Sequence, residues 1–421
     1  MITLLRRIKR KIKRELLRAR RFFKSRFNRI KRWIRQFFIF RKAQRTPEIS
    51  KKYAGFFDIG VAVDTFGDWN IDAAEIGCWG KEALIARCFS SVTCENAMKP
   101  EYNFNLSGES LFCIGESAEK ILQFAKRKGL KVRVHVLVWY KQTNEAIFCR
   151  EFQPVYDTDG NLAEDCLTDR ETLLHRLNSY IDGFIRYIYE NGYADIVYAY
   201  DVVNEAASNL PGQLYRDSYW YRIIGPAYIY YSFLYARQAI RRYSLMYAGK
   251  YNVNADDGSV NKIQGELLYC DNYEWLPDKV EKIRRILKET VMNPAHGNDI
   301  LLDGIGMQGH ITLETDIPEY MRAVKQYGQE FGSVHITELD ICAGETRKTG
   351  YAKKYREFFE GCLDAVTHGT RFKSVTFWGL NDGRSWKKDK SCSLLFDDSF
   401  RPKKELYTIT DIDISGYAKN P

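Results

Sequence analysis

Eight β-like runs alternate with helix-like segments after residue 54, and this alternation constrains the fold more than any other feature. The runs are GFFDIGVAV (55–63), CFSSVTCENAM (88–98), KVRVHVLVW (131–139), IVYAYDVVNE (196–205), GELLYCDN (265–272), GIGMQGH (304–310), SVHITELDI (333–341) and SVTFWGLND (374–382). The segments between them, such as SAEKILQFAKRKG (117–129), have the apolar spacing of helices, and most end in glycine. Eight such repeats favour a parallel sheet closed on itself. We therefore predict an α/β protein with a single (β/α)8 TIM barrel over residues 55–415.

The first 45 residues have a different composition from the rest of the chain. They hold 19 of the 64 Lys and Arg residues but one of the 54 acids, Glu15, so their net charge is +18 and the remainder has 45 bases against 53 acids. Apolar residues recur there at steps of three or four: Leu5, Ile8, Ile12, Leu16, Ala19, Phe23, Phe27, Ile30, Ile34 and Phe37. This spacing predicts a long basic amphipathic helix over residues 1–46. Pro47 then opens a predicted linker over residues 47–54.

Three interpretations of this helix are open: it lies on an anionic membrane surface, binds a protein or polyanion partner, or is a solvated arm. A narrow apolar stripe among arginines and lysines is typical of the first. Its longest uncharged apolar run, FFIF (37–40), is too short for a classical signal peptide or a transmembrane span. We expect a cytoplasmic or peripheral membrane protein. Because the basic excess is confined to this segment, we expect no nucleic-acid partner.

Polar residues collect where the predicted strands end. The fourth run closes YAYDVVNEAASNL (198–210) with an amide beside a carboxylic acid. In a TIM barrel the carboxyl ends of all strands meet at one mouth, where active sites lie. The residues predicted at that mouth are Glu95, Asn96, Lys99, His135, Trp139, Asn204, Glu205, Gln308, His310, Glu338, Asp340 and Trp378, with Trp386 just beyond the last strand.

The chemistry of this set favours sugar hydrolysis. Two glutamates, Glu205 and Glu338, stand on opposite sides of the mouth beside three tryptophans. Paired carboxylates supply the acid and the nucleophile that glycosidic cleavage needs, and indole faces stack on sugar rings. The chain lacks metal-ligand spacing, a nucleophile elbow and a glycine-rich phosphate cradle, so we predict no metal or cofactor. Its ten cysteines form no CxxC pair, and we expect mostly buried free thiols.

Six motifs in order resemble those of glycoside hydrolase family 10, the endo-β-1,4-xylanases. They are CENAMKPE (94–101), HVLVW (135–139), DVVNEA (201–206), GIGMQGH (304–310), ITELDI (336–341) and FWGLNDGRSW (377–386). The resemblance implies retaining cleavage of internal β-1,4-xylosidic bonds in xylan or xylo-oligosaccharides. Glu205 would be the general acid/base and Glu338 the nucleophile.

The resemblance also implies supporting roles. His310 would lie between Glu338 and Asp340, and Asn204 and Gln308 would bond near the reacting sugar. The residues implied to bind other sugars are Glu95, Asn96, Lys99, His135, Trp139, Trp378 and Trp386.

Two positions depart from the family pattern. Tyr140 stands where a second histidine is usual, and Asp271 precedes Asn272 where the order is usually reversed. Two alternatives therefore stay open: another β-1,4-glycanase such as a β-glucanase, and a catalytically weak carbohydrate-binding peripheral membrane protein.

Overall fold

The computed structural model contains the predicted barrel, preceded by the predicted long helix. It describes residues 2–65, 74–106, 110–254, 258–297, 299–345, 349–387 and 391–419, and in the first helix it does not describe the side chains of residues 2–10, 12, 15–17 and 19. The strands are β1 (Asp58–Val63), β2 (Ser91–Cys94), β3 (Lys131–Val134), β4 (Val197–Asn204), β5 (Glu266–Asp271), β6 (Gly304–Met307), β7 (His310–Thr312), β8 (Ser333–Cys342), β9 (Phe372–Phe377) and β10 (Cys392–Ser393).

Two helices precede the first strand, and the others lie between or after the strands. They are α1 (Ile2–Ala43), α2 (Ile49–Tyr53), α3 (Trp79–Cys88), α4 (Glu116–Lys128), α5 (Arg170–Glu190), α6 (Tyr219–Ile224), α7 (Ala227–Met246), α8 (Pro277–Glu289), α9 (Ile317–Phe331), α10 (Tyr351–Thr367) and α11 (Lys404–Thr410). Shorter 3₁₀ turns lie in the loops at Pro100–Tyr102, Glu145–Phe148, Arg150–Phe152, Glu164–Cys166, Ala248–Tyr251, Ser259–Ile263, Pro294–His296 and Asp382–Arg384.

Eight parallel strands close the barrel in the order β1, β2, β3, β4, β5, β6, β8, β9. The closure is made by β9, which pairs with β8 on one side and with β1 on the other. Each barrel strand falls within, or overlaps, one of the eight predicted runs. The prediction of eight strands succeeded because strands packed on both faces are nearly continuous apolar runs, which are easy to recognise.

Local sequence explains where several helices begin and end. Asp169 and Asp316 cap α5 and α9 by accepting hydrogen bonds from the N–H groups of Thr172 and Glu319. Gly129 ends α4 in the left-handed conformation, with φ of 66°.

The structure differs from the sequence prediction at the linker. Residues 47–54 contain α2, and Ile49 and Tyr53 are fully buried in the core. The hydroxyl of Tyr53 also donates to the carbonyl of Ile409, at 2.7 Å. α1 ends at Ala43, three residues before the predicted end of the helix, and the segment after Pro47 packs on the barrel through these two side chains.

A second difference concerns the cysteines. Cys342 at the end of β8 forms a disulfide with Cys392 on β10, and this pair is the exception to the mostly buried free thiols that we predicted. The bond joins two strands that pair antiparallel beside the barrel mouth. Sequence spacing could not reveal it, because the partners are 50 residues apart. The other eight cysteines are free, and seven of them are buried.

No helix in the described part of the chain is long and apolar enough to cross a membrane.

Candidate active site

The carboxyl ends of the barrel strands surround a cleft of about 710 Å³. Twelve of the thirteen predicted site residues line it, and the thirteenth, Asp340, lies fully buried behind His310. The barrel therefore brings together residues that are up to 291 positions apart, from Glu95 to Trp386.

Glu205 is held at the tip of β4 in a constrained position. Its backbone has φ of 57°, a left-handed conformation that costs a non-glycine residue about 1 kcal/mol or more. Its N–H donates to the carbonyl of Cys270 on the neighbouring β5, at 2.8 Å. Gln308 donates from Nε2 to Oε1 of the carboxyl group, at 3.0 Å, and also to Oδ1 of Asn204 at 3.2 Å. These contacts fix both the main chain and the carboxyl group of Glu205.

The surroundings of Glu205 favour its neutral form. Burial raises the pKa of this carboxyl, and the charge of Asp271 raises it further. The hydrogen bond from Gln308 and the charge of Arg216, whose Nη2 lies 3.7 Å from Oε2, act in the other direction but do not cancel the rise. A carboxyl group that keeps its proton can give it to a leaving group.

The surroundings of Glu338 favour its charged form. Burial opposes ionisation here too, but the hydrogen bond and charge of His310, with His135 and Arg133 nearby, hold the pKa of Glu338 below its ordinary value. The backbone N–H of Glu338 donates to the carbonyl of Gln308, at 2.7 Å, which ties β8 to the segment after β6. An ionised carboxylate facing the cleft can act as a nucleophile.

His310 connects Glu338 to a buried carboxylate. Its Nε2 lies 3.1 Å from Oε2 of Glu338, and its Nδ1 lies 3.0 Å from Oδ2 of Asp340. Burial lowers the pKa of His310, but the two carboxylates raise it far more, so that it lies well above its ordinary value. The imidazolium thus donates to both acids. Trp386 donates a further hydrogen bond to Asp340, at 2.7 Å.

A second ionic group supports Glu338 from inside the barrel. Arg133 is fully buried on β3, where it pairs with Asp201 and donates to the carbonyl of Thr337 at 2.6 Å. Asp201 also holds Nδ1 of His135, at 2.8 Å, which turns Nε2 towards Glu338 at 3.9 Å. A buried ion pair of this kind stabilises little by itself, but here it orients the histidine beside Glu338.

One end of the cleft is lined by groups suited to sugar hydroxyls. Lys99 donates to Asn96 at 3.0 Å and to Gln142 at 2.7 Å, and its ammonium lies 4.9 Å from the centre of the Trp139 ring. Burial and the nearby charge of Asp64 raise the pKa of Glu95 to about 7. Donors, acceptors and an indole face converge on the same space, which fits a hydroxylated ring.

The tryptophans bound the cleft in two ways. Trp378 is buried and meets the ring of His135 edge-on, with centroids 5.4 Å apart. Trp386 is 45% exposed and covers His310, with centroids 5.0 Å apart. Trp386 can therefore change its position more easily than Trp378 when a ligand enters.

Two of the residues of the cleft region that sequence reasoning missed have clear structural roles. Gln142 lines the cleft and bonds Lys99, and the signal available was its place three residues after Trp139 on the same loop. Arg216 lies in the segment before α6, and its Nε donates to the carbonyl of Glu205 at 2.7 Å. Arginine eleven residues beyond Glu205 had no readable sequence signal.

The two departures from the family pattern lie on the acid side of the cleft. Tyr140 lines the cleft, and the guanidinium of Arg216 sits 4.6 Å from the centre of its ring. Asp271 is buried and accepts hydrogen bonds from Tyr269 and from the N–H of Ala207, while Asn272 reaches the cleft wall. Both departures therefore lie near Glu205, whereas the side chain of Glu338 is held by His310 and approached by His135.

Comparison with known proteins gives a consistent result. The family model described as "Glycosyl hydrolase family 10" matches residues 49–412. Endo-1,4-beta-xylanase B of Butyrivibrio fibrisolvens is 32% identical over 384 residues, which cover 86% of this chain and 53% of that protein. Endo-1,4-beta-xylanase A of Caldicellulosiruptor saccharolyticus is 31% identical over 381 residues, which cover 86% of this chain and 94% of that protein. The chain thus spans about half the length of the first relative and most of the second.

A solved structure has the same fold. The CBM22-1–GH10 modules of endo-1,4-beta-D-xylanase 10B from Clostridium thermocellum, complexed with xylohexaose, superpose with a TM-score of 0.69 at 29% sequence identity. The match covers 88% of this chain and 68% of that one.

Proposed function

The chain belongs to glycosyl hydrolase family 10, and from this we propose that it cleaves internal β-1,4-xylosidic bonds in xylan or xylo-oligosaccharides with retention of configuration. The observation that carries the proposal is the pair of glutamates in one cleft whose pKa values are shifted in opposite directions, Glu205 upwards and Glu338 downwards. Such a pair provides a proton donor and a nucleophile at the same pH.

The first step uses both glutamates. The carboxylate of Glu338 attacks the anomeric carbon while Glu205 gives its proton to the glycosidic oxygen, so the bond to the leaving sugar breaks as the bond to Glu338 forms. The transition state has oxocarbenium character. The amide group of Gln308, which donates from Nε2 to Glu205 and to Asn204, keeps the proton donor aligned with the scissile oxygen.

The second step reverses the role of Glu205. Now a carboxylate, it takes a proton from a water molecule whose oxygen attacks the anomeric carbon, and Glu338 leaves as a carboxylate. Two displacements restore the original configuration. His310 would assist both steps, because its two hydrogen bonds hold Glu338 in place while the charge on that carboxylate disappears and returns.

Product analysis tests the proposal. The enzyme is incubated with xylan, xylo-oligosaccharides, cello-oligosaccharides and mixed-linkage glucan, and the products are separated and their anomeric configuration is followed by NMR. We expect short xylo-oligosaccharides with retained configuration. Preferential cleavage of the glucan would favour a β-glucanase, and binding without turnover would favour a carbohydrate-binding protein.

Two variants test the assigned roles. Glu338→Gln should abolish turnover on every substrate, because no nucleophile is left. Glu205→Ala should still react with an activated aryl xyloside, whose leaving group needs no proton, and added azide should restore the second step. Equal losses on activated and natural substrates without azide rescue would contradict the roles.

We also propose that residues 1–45 attach the enzyme to an anionic membrane surface. The described part of the apolar stripe is exposed: Phe23, Phe27, Ile30, Ile34 and Phe37 are between 39% and 69% accessible. The other predicted stripe residues, Leu5, Ile8, Ile12, Leu16 and Ala19, have side chains outside the described part of the chain. The barrel therefore leaves the described stripe uncovered, so the stripe is available for lipid.

Charge complements this apolar face. Lys31 and Arg26 border the stripe and lie 4.5 and 4.9 Å from the ring centres of Phe27 and Phe22. Each lysine or arginine near an anionic leaflet is worth about 1 kcal/mol, so engagement of about a third of the 19 bases would give firm attachment. The remainder of the chain is acidic and should stay off the same surface.

Vesicle sedimentation tests this attachment. The full chain should sediment with vesicles that contain phosphatidylserine and stay in solution with neutral vesicles, and binding should fall as salt rises. Phe27→Ser with Ile34→Ser should weaken binding, whereas Asn28→Ser on the opposite face should not. Retention in the supernatant with anionic vesicles at low salt would refute the proposal and favour a protein partner or a solvated arm.

A further inference from the structure

The C-terminal part of α1 is fixed to the barrel by a close contact with α3. Gln36 accepts a hydrogen bond from the N–H of Gly80, at 2.9 Å. A Cβ atom at Gly80 would lie 2.3 Å from the carbonyl oxygen of Gln36, so only glycine allows this approach. Ile39 and Ala43 are buried at the same interface, and the rings of Phe40 and Trp79 are 5.6 Å apart. The end of α1 is thus a packed part of the barrel domain.

The contacts also fix the direction of α1. Gln36 lies beside Gly80 at the start of α3, whereas Thr46 accepts a hydrogen bond from Nε of Arg87 near the end of α3, at 2.8 Å. The two helices therefore run in the same direction over about three turns. Because α3 follows β1, it begins at the mouth end of the barrel. Residues 2–35 of α1 must then project beyond the mouth, over about 50 Å at 1.5 Å per residue.

The apolar stripe and the docked face lie on opposite sides of α1. Successive residues of an α-helix are about 100° apart, so Ile39 lies about 200° from Phe37. Ile39 is 2% exposed, whereas Phe37 is 39% exposed and Ile34 is 44% exposed. The barrel therefore sits on one side of the helix, and the face proposed for lipid is on the other.

We infer that α1 is a rigid arm that holds the barrel on its side against an anionic bilayer, with the cleft opening along the membrane surface. This inference rests on the membrane attachment proposed above. The helix axis lies in the plane of the membrane, and barrel strands tilt about 36° from the barrel axis, so the barrel axis stays close to that plane. Neither the lipid nor the arm covers the cleft, and a sugar chain can enter parallel to the surface.

Insertions between Arg35 and Gln36 test the rigidity of the arm. Two added alanines rotate the stripe by about 200° relative to the docked end, so that the stripe and the barrel lie on the same side of the helix. Four added alanines rotate the stripe by about 40° and leave it on the side opposite the barrel. We expect the two-residue insertion to weaken binding to phosphatidylserine vesicles at least tenfold and the four-residue insertion to change it by less than about threefold. Equal binding by both variants would overturn the rigid arm.

Energy transfer tests the orientation. In a Cys113→Ser background, a donor dye is placed at Leu210→Cys near the mouth or at Asn191→Cys near the base, and acceptor lipids are added to the vesicles. Both positions are exposed, and the eight residues of β4 separate these ends by about 26 Å. We expect similar transfer from both sites, and strong transfer from one site alone would refute the side-on orientation. Failure of the wild type to bind vesicles would instead refute the membrane attachment.

Discussion

His310 offers the sharpest test of how Glu338 is kept ready to react. The imidazolium bonds Glu338 at 3.1 Å and Asp340 at 3.0 Å. His310→Ala removes one charge-assisted hydrogen bond from the nucleophile, which is worth about 1.5–3 kcal/mol. It also leaves Asp340 buried with the indole of Trp386 as a remaining donor. If the loss falls on the transition state, kcat should decrease roughly 10- to 150-fold.

The pH profile gives an independent readout. In the proposed mechanism Glu338 must be ionised to attack, so activity should fall as pH drops through its pKa. The hydrogen bond from His310 helps to hold that pKa low, and its removal must raise it. The acid limb of kcat/KM should therefore move to higher pH, and the loss of activity should be larger in acid than at neutral pH.

Steady-state kinetics on an aryl xyloside across the pH range measure both effects. His310→Gln, which keeps a neutral donor, should lose less activity than His310→Ala. Asp340→Asn combined with His310→Ala should cost less than the sum of the two single changes, because both act on one network. An increase in KM alone, with kcat and the acid limb unchanged, would mean that His310 contacts substrate and does not position the nucleophile.

Three further predictions concern the same cleft. Arg216→Met should raise the pKa of Glu205 and move the alkaline limb of the pH–activity profile to higher pH, and Arg216→Lys should largely restore the wild-type limb. If the limb does not move in Arg216→Met, the charge of Arg216 does not act on Glu205. Glu95→Gln should make KM less dependent on pH near 7, because the pKa of Glu95 is raised to about 7. Initial rates at subsaturating substrate measure this dependence. Cys392→Ser should lower the free energy of unfolding by at most about 4 kcal/mol for a loop of 50 residues and loosen the segment that carries Trp386; unchanged thermal unfolding with and without reductant would contradict this.

The fold was predictable because its signals are local. Apolar runs of strand length, separated by amphipathic segments, mark each β/α unit without any knowledge of its neighbours. The packing of α1 and α2 was not predictable in the same way. Ile39 and Ala43 are ordinary apolar residues in the sequence, and they are buried where α1 makes a close approach to α3 that the missing side chain of Gly80 permits. No local sequence pattern predicts a tertiary contact that depends on a single glycine.

The residues of the cleft also differ in how well the sequence predicts them. Most of its predicted residues lie at strand ends or a few residues beyond them, where the barrel itself fixes their position, whereas Trp386 lies on the loop after β9. Arg216 and Gln142 lie on loops, and their places in the cleft depend on loop conformation, which the sequence does not specify.

Tyr140 was recognised only as a departure from the family pattern. Its contact with Arg216, 4.6 Å from ring centre to guanidinium, gives the departure a physical meaning. The same arginine approaches the carboxyl of Glu205, whereas Glu338 is bonded by His310. If Glu205 is the proton donor, as we propose, we expect variation at Tyr140 to act through Arg216 on the pH at which the leaving group is protonated.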